Sequence, residues 1–361
     1  MDRGQTRKAR PSSVAFWHGL LALGLVLTVA CERRSAPDRP VRVYVSNEQG
    51  GDVAILDPEA GAVLGRIPVG KRPRGLRLLP DGRHLLVALS GSPIAGPGVD
   101  EAKLPPPDRS ADGIGLVDLE TKKLVRVFPS GDDPESFDLS PDGRTVYISN
   151  EETAEMSVLD RETGRITGRV KVGVEPEGVT VRPDGRVVYV TCEADNAVVA
   201  VDTRSLAILA RVPTAARPRS IVFSRDGRTA FVTAETGGAV TVIDAVSHTV
   251  VATVPIPRSA GAPTAARPMG SALSRDGRAV FVSNGRGQSV AILDVAGRRV
   301  ARMIEGVGVR PWGIGTSPDG RKVYTANGPS NDVSVIDVSS GVVEKRIPVG
   351  RSPWGLAVDA R

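Results

Sequence analysis

Residues 311–360 read PWGIGTSPDGRKVYTANGPSNDVSVIDVSSGVVEKRIPVGRSPWGLAVDA, and nearly everything after residue 40 is a variant of this stretch. Ile314 to Ser317 leads into a Pro318-Asp319-Gly320-Arg321 turn, and Lys322 to Ala326 forms the next apolar run. A polar loop, Asn327 to Asp332, precedes Val333 to Asp337, and Ser339-Ser340-Gly341 then turns the chain into Val342 to Val349. Short β-branched runs separated by Pro-Asp-Gly or Ser-Gly are the mark of antiparallel strands joined by tight turns. The unit restarts at Ser352-Pro353-Trp354-Gly355, matching Arg310-Pro311-Trp312-Gly313 at a period of 42.

Working backwards, the Asp-Gly-Arg turn recurs with Asp at 81, 142, 184, 226, 276 and 319. A Pro two residues before Gly or Ser opens each unit, at 73, 134, 176, 218, 268, 311 and 353, with spacings of 61, 42, 42, 50, 43 and 42. Four strands per 40 to 45 residues is the signature of a propeller blade. Seven copies predict an all-β, seven-bladed β-propeller of four-stranded antiparallel blades. The chain enters at Val41 on what the repeat treats as a second strand, Val43 to Asn47, and leaves after a first strand, Gly355 to Val358. The C-terminal strand is therefore expected to complete the N-terminal blade, which closes the ring and leaves no open edge. Residues 41–361 form one domain in this reading, because blades bury their faces against one another.

Residues 1–40 are of another kind. Arg3, Arg7, Lys8 and Arg10 precede Val14 to Ala30, seventeen residues without formal charge, and Cys31 follows at once. A basic segment, an apolar core and a small residue before the cut make an export signal. With Cys31 immediately after Ala30, the segment resembles a bacterial lipoprotein signal. That resemblance implies a signal over residues 1–30, lipidation of Cys31, a tether over residues 31–40 and a place in the periplasm, the outer membrane or the cell surface. An uncleaved anchor is the alternative, since seventeen residues fall just short of a comfortable span. Once residues 1–30 are set aside, the net charge drops from +6 to +3, so bulk charge gives little reason to expect nucleic acid.

The spacing of 61 comes from an insertion, Ser90 to Asp112, between the second and third strands of one blade. It is rich in Pro and acids, and a long loop on a regular scaffold is either functional or simply mobile. Alternating strand directions place it on the face that also carries the residues flanking each repeat Pro. Going round the ring these are Arg72 and Arg74, Asp133 and Glu135, Glu175 and Glu177, Arg217 and Arg219, Arg267 and Met269, Arg310 and Trp312, and Ser352 and Trp354. The loop after the second strand adds Glu48, Glu151, Glu193 and Glu235. From this face we take Arg72, Arg74, Glu135, Glu177, Arg217, Arg219, Arg267, Arg310, Trp312 and Trp354 as candidate ligand-binding residues. Guanidinium groups near two indoles suit an anionic or planar ligand. The competing reading is that these side chains pair with one another and plug the mouth.

Metal and haem chemistry find no motif. There is no Cys-x-x-Cys-His and no His cluster, and the two histidines after the signal, His84 and His248, fall beside turns of the other face. Cys192 at the end of a strand reads as a small buried residue. Ser283-Asn284-Gly285-Arg286-Gly287 has the look of a phosphate loop, but it joins two strands and no helix follows, so it is set aside. No cofactor, metal ligand or catalytic residue is assigned.

Val43-Tyr44-Val45-Ser46-Asn47, Val335-Ile336-Asp337 and Ile347-Pro348-Val349-Gly350 resemble the YVTN-type β-propeller repeat family over residues 41–361. Asp133-Pro134-Glu135, Val174-Glu175-Pro176-Glu177-Gly178, Arg217-Pro218-Arg219 and Tyr324 to Gly328 resemble exported propellers associated with pyrroloquinoline-quinone-dependent alcohol catabolism. The resemblance implies an exported seven-bladed binding or accessory protein with no catalytic residue to carry over. The first expectation is therefore a non-enzymatic scaffold that takes a protein partner or a small anionic ligand and reaches the membrane through its lipid. The alternatives are a lactonase-like propeller hydrolase acting through face carboxylates, or an accessory factor of quinone-dependent alcohol oxidation. Single-stranded nucleic acid is disfavoured, because few aromatics are available for stacking.

Overall fold

The computed structural model describes residues 40–94 and 103–359. The export signal, Cys31 and nearly all of the tether lie outside them. Among the described residues, 28 strands form seven four-stranded antiparallel sheets, each a blade. Blade 1 takes its innermost strand from the C-terminus. β28 (Pro353–Val358) pairs with β1 (Val43–Asn47), followed by β2 (Asp52–Asp57) and β3 (Ala62–Pro68), so the ring closes as the repeat predicts. Blades 2 to 7 cover residues 76–128, 134–171, 176–213, 218–255, 268–304 and 311–348.

The second and third strands of each blade carry the core. The second strand of blade 4, Val187–Cys192, is buried at all six positions, Cys192 included. Apolar clusters form between blades rather than within them. One joins Tyr147, Met156 and Val158 of blade 3 to Val179, Val190 and Val201 of blade 4. Burying both faces of every blade in this way makes the ring one cooperative unit.

First strands differ from the sequence expectation. In blade 7 the strand begins at Pro311 rather than at Ile314, and its pairing slips between Pro311 and Ile314. The same irregularity follows Pro176, Pro218 and Pro268. Pro has no N–H to donate to the ladder, so the chain makes one bridge there, bulges and resumes.

The bulge is used to join blades. The hydroxyl of Ser46 donates to the carbonyl of Arg74 at 2.6 Å, Ser149 to Glu177 at 2.6 Å, Thr191 to Arg219 at 3.1 Å and Ser283 to Trp312 at 2.7 Å. In each case a second strand bonds the residue after the repeat Pro in the next blade. The small residue of Pro-x-Gly/Ser lets these inner strands approach. A Cβ on Gly178 would lie 2.2 Å from the carbonyl oxygen of Arg219. Gly178→Ala is therefore expected to destabilise the fold by about 1–3 kcal/mol, as overpacking does, read as a lower midpoint in urea. An unchanged midpoint would show that the blade spacing relaxes freely.

The opposite face carries the Asp-Gly-Arg turns. Their glycines adopt φ of 63–76°, and each Asp side chain accepts from a following backbone N–H, as Asp142 does from Arg144 at 3.1 Å. His84 and His248 lie there, the first against Asp81 at 2.8 Å and the second against the Tyr189 hydroxyl at 2.7 Å.

Candidate functional site at the channel mouth

Before six of the seven repeat prolines the backbone is left-handed. Arg72, Asp133, Glu175, Arg217, Arg310 and Ser352 have φ between 38° and 60°. L-residues avoid this region, and the residue before a proline favours extended backbone, so each position carries local strain. Arg267, which follows the lengthened 258–266 connection, is the exception. The strained segment registers the neighbouring loop. The carbonyl of Asp133 accepts from Glu151 N–H at 3.1 Å, that of Glu175 from Glu193 at 3.0 Å, that of Arg217 from Glu235 at 2.8 Å and that of Arg310 from Gly328 at 3.3 Å. Two sets of charged positions, distant in sequence, are thereby brought to one rim.

That charged side chains occupy positions Gly would fill without strain points to a use for the side chains. Glu175 tests the cost. It is exposed and makes no side-chain hydrogen bond or ion pair among the described residues. Glu175→Gly is expected to raise stability by about 0.5–1 kcal/mol, strain relief exceeding the added chain entropy. A lower melting temperature would show that the side chain itself supports the fold.

Two arginines are hubs of the mouth. Arg74, 1 % exposed, is held by Asp133 and Glu135 and donates to the Pro134 carbonyl at 3.1 Å. Ser90, from the base of the insertion, donates to Asp133 at 2.5 Å, and Arg72 bonds Glu48 at 3.0 Å and the Ser92 carbonyl at 3.2 Å. Arg219, 8 % exposed, bonds Glu235 at 2.8 Å and also contacts Glu177 and Glu193. Arg217 bonds Glu193 at 2.6 Å. Four of the candidate arginines, 72, 74, 217 and 219, are thus occupied by carboxylates, as the plugging reading anticipates.

These pairings divide the acids. Burial opposes the charge on Glu177, but Arg219, a hydrogen bond with Glu193 and the field of Arg74 together outweigh it and lower its pKa. Glu193 is pushed the other way, by burial and then by Glu177, with Arg219 and Arg217 opposing the rise. Glu151 is pushed up to about 7, by burial first, with Arg74 opposing and Glu177, Asp133 and Glu175 adding to the rise. It is half-buried, and its side chain has no hydrogen-bond or ion-pair partner among the described residues. The carboxylate oxygens of Asp133, Glu135 and Glu151 lie within 4.8 Å of one another. A cation could bridge that spacing, but Arg74 already engages two of the three.

The other side of the rim is aromatic. The Trp312 and Trp354 rings lie 5.5 Å apart at 31°, and Arg310 sits 4.7 Å over Trp312 with Arg219 on the same ring at 5.5 Å. Below them is a cavity of about 150 Å³ bounded by Glu177, Arg219, Met269, Trp312 and Trp354. The candidate residues therefore fall into two groups, a paired ionic arc on blades 2 to 5 and an aromatic and cationic arc on blades 6 and 7 and the C-terminal strand of blade 1. Sequence reasoning did not single out Ser90 or Arg286. Ser90 falls inside the insertion, and Arg286 belongs to the loop dismissed as a phosphate binder.

Fold and site together define a seven-bladed β-propeller with an ionised channel mouth. The chain belongs to the choice-of-anchor I domain family, whose model matches residues 8–214, and the model described as lactonase, 7-bladed beta-propeller, matches residues 205–347. No curated protein sequence matches it. Among solved structures it is similar to the periplasmic gluconolactonase PpgL of Pseudomonas aeruginosa, with 23 % identity and a TM-score of 0.70 over 88 % of this chain and 98 % of that one. A candidate 6-phosphogluconolactonase of Bacteroides uniformis shares 18 % identity, with a TM-score of 0.70 over 88 % and 99 %. Hydrazine synthase of Kuenenia stuttgartiensis shares 23 % identity, with a TM-score of 0.64 over 78 % and 88 %. At these identities the likeness is one of fold.

Proposed function

We propose that this propeller is a lactonase-like hydrolase that opens a cyclic ester at the channel mouth, with Glu151 as general base. The observation that carries the proposal is a half-buried carboxylate without a partner, pushed up to about 7, beside two acids held by Arg74. A base poised near the working pH combines a useful ionised fraction with a real pull on a proton. Glu151 would take a proton from water as its oxygen bonds to the lactone carbonyl carbon. The positive field of Arg74, which already acts on Glu151, favours the resulting oxyanion. Collapse breaks the ring C–O bond, and protonated Glu151 returns its proton to the departing alkoxide, giving a hydroxy acid. The match to the lactonase propeller model supports this reading. The test is a pH-stat assay of the purified protein on a panel of sugar and aliphatic lactones. Acid release above the spontaneous rate is expected, and none on any ring size would overturn the proposal.

A second reading is a binding or accessory scaffold, including a role beside quinone-dependent alcohol oxidation. The saturation of Arg72, Arg74, Arg217 and Arg219 by carboxylates favours it, since such a network can serve structure alone. Saturable binding without turnover in the same panel would select it. In both readings the chain is exported and anchored by a lipid on Cys31, supported by the basic segment and apolar run that precede it. Cys31→Ser should then move the protein from the membrane fraction to the soluble one.

A further inference from the structure

Two of the arginines before the repeat prolines pair across blades, while Arg267, whose backbone is not left-handed, leaves Glu235 of the preceding blade to Arg219. Arg72 of the blade 2 segment bonds Glu48 in the loop of blade 1, and Arg217 of the blade 5 segment bonds Glu193 in the loop of blade 4. Each takes its carboxylate from the first loop residue of the preceding blade. For Arg310, at the start of blade 7, the matching position in blade 6 is Gly285, and in its own blade it is Gly328. Both places where other blades carry Glu are glycine.

Arg310 is accordingly half-buried with no carboxylate partner among the described residues. It packs on Trp312; Glu235 and then Glu48 attract its charge from beyond ion-pair contact, while Arg286 and Arg219 repel it, and burial with that repulsion prevails. Arg286, two residues from the start of the same blade 6 loop as Gly285 counted inclusively, is exposed and also has no side-chain partner. A desolvated guanidinium with like charges nearby and no carboxylate in contact is unfavourable unless something else pairs with it. An indole face beside it offers a planar or apolar surface to whatever carries the negative charge.

We propose that Arg310, with Arg286 and the Trp312 face, is the anion-binding subsite of the mouth, taking the carboxylate or phosphate of a small ligand whose body rests on the indole. Arg310 acts here as a binding residue, its missing glutamate replaced by the ligand's own anion. The proposal extends the hydrolase reading by requiring an anionic group on the substrate, but it stands on the pairing seen at Arg72 and Arg217 and can be tested without turnover.

The test uses the full chain carrying Trp17→Phe, so that fluorescence reports Trp312 and Trp354 alone. Gluconate, inorganic phosphate and neutral sorbitol are titrated in turn. Gluconate or phosphate is expected to shift the emission saturably while sorbitol does not, and comparing the two anions tells carboxylate from phosphate preference. Arg310→Gln should weaken binding by about tenfold or more, the loss typical of a charge-assisted pair. Gly285→Glu should abolish binding while raising the melting temperature, because it rebuilds the ion pair seen at Arg72 and Arg217. A Cβ there would meet the flexible Met269 side chain at 3.0 Å and the Arg267 carbonyl at 3.5 Å. Equal binding of sorbitol, or anion binding unchanged in both variants, would overturn the proposal. If gluconate binds through Arg310 but no lactone is opened, the subsite stands and the hydrolase reading falls. If lactones are opened with KM unchanged in both variants, the reverse holds.

Discussion

Glu151→Gln is expected to lower kcat/KM for lactone opening by about 10²–10⁴-fold, the usual contribution of a positioned general base. Gln keeps the shape of the side chain and removes only its ability to take a proton. In the unsubstituted protein kcat/KM should rise with pH through about 7 and then level off, since the base form of Glu151 is the active one. The variant should retain a small residual rate without that rise. Stability gives an independent control. A carboxyl whose pKa is raised by folding takes up a proton in the native state, so its cost is absent below the ordinary carboxylate range, grows as pH rises and is complete above about 7. Glu151→Gln should therefore be no less stable than the parent at pH 8. A variant that folds, binds gluconate and still turns over at the parental rate would remove Glu151 from the mechanism.

Arg219→Met is expected to cost about 3–5 kcal/mol of stability at pH 7, as breaking a buried charge network does. The guanidinium contacts Glu177, Glu193 and Glu235 together, all nearly buried. Burial alone would lower its pKa, yet these three acids more than offset that and raise it. Removing it strips Glu177 of its contacting counterion in a dry site and leaves only the more distant field of Arg74. The sign with pH follows. Glu177 is held below its ordinary value by Arg219, so this contribution is present above the ordinary carboxylate range and fades as pH falls through the lowered native value. The gap between variant and parent should narrow in acid. Denaturant melts at pH 4 and pH 7 would show it, and equal gaps at both would mean that lost packing around Trp312, not charge, carries the effect. Arg310→Gln is the contrast, because that charge lacks a partner to abandon.

The sequence by itself determined the architecture. A period near 42, Asp-Gly-Arg turns and β-branched runs state four strands per unit, and the half-blades at the two ends state how the ring closes. These are local or nearest-neighbour facts, and hairpin chemistry and binary pattern suffice to read them. The face was legible for the same reason, since strand direction alone sorts the loops, and the ten candidate residues do share one rim. What each charge does there was decided only by the tertiary structure. Arg72, Arg217 and Arg310 occupy the same place in the repeat and look alike in sequence. Two are neutralised by Glu48 and Glu193, and one faces Gly285, because the partner belongs to the neighbouring blade and is set by how blades rotate about the axis. The fate of Glu151 was hidden likewise, since its proton affinity depends on burial and on Arg74, Asp133 and Glu177 from other strands. Local pattern fixes strands and turns, whereas charge acts across space, and only the closed ring decides which charges meet.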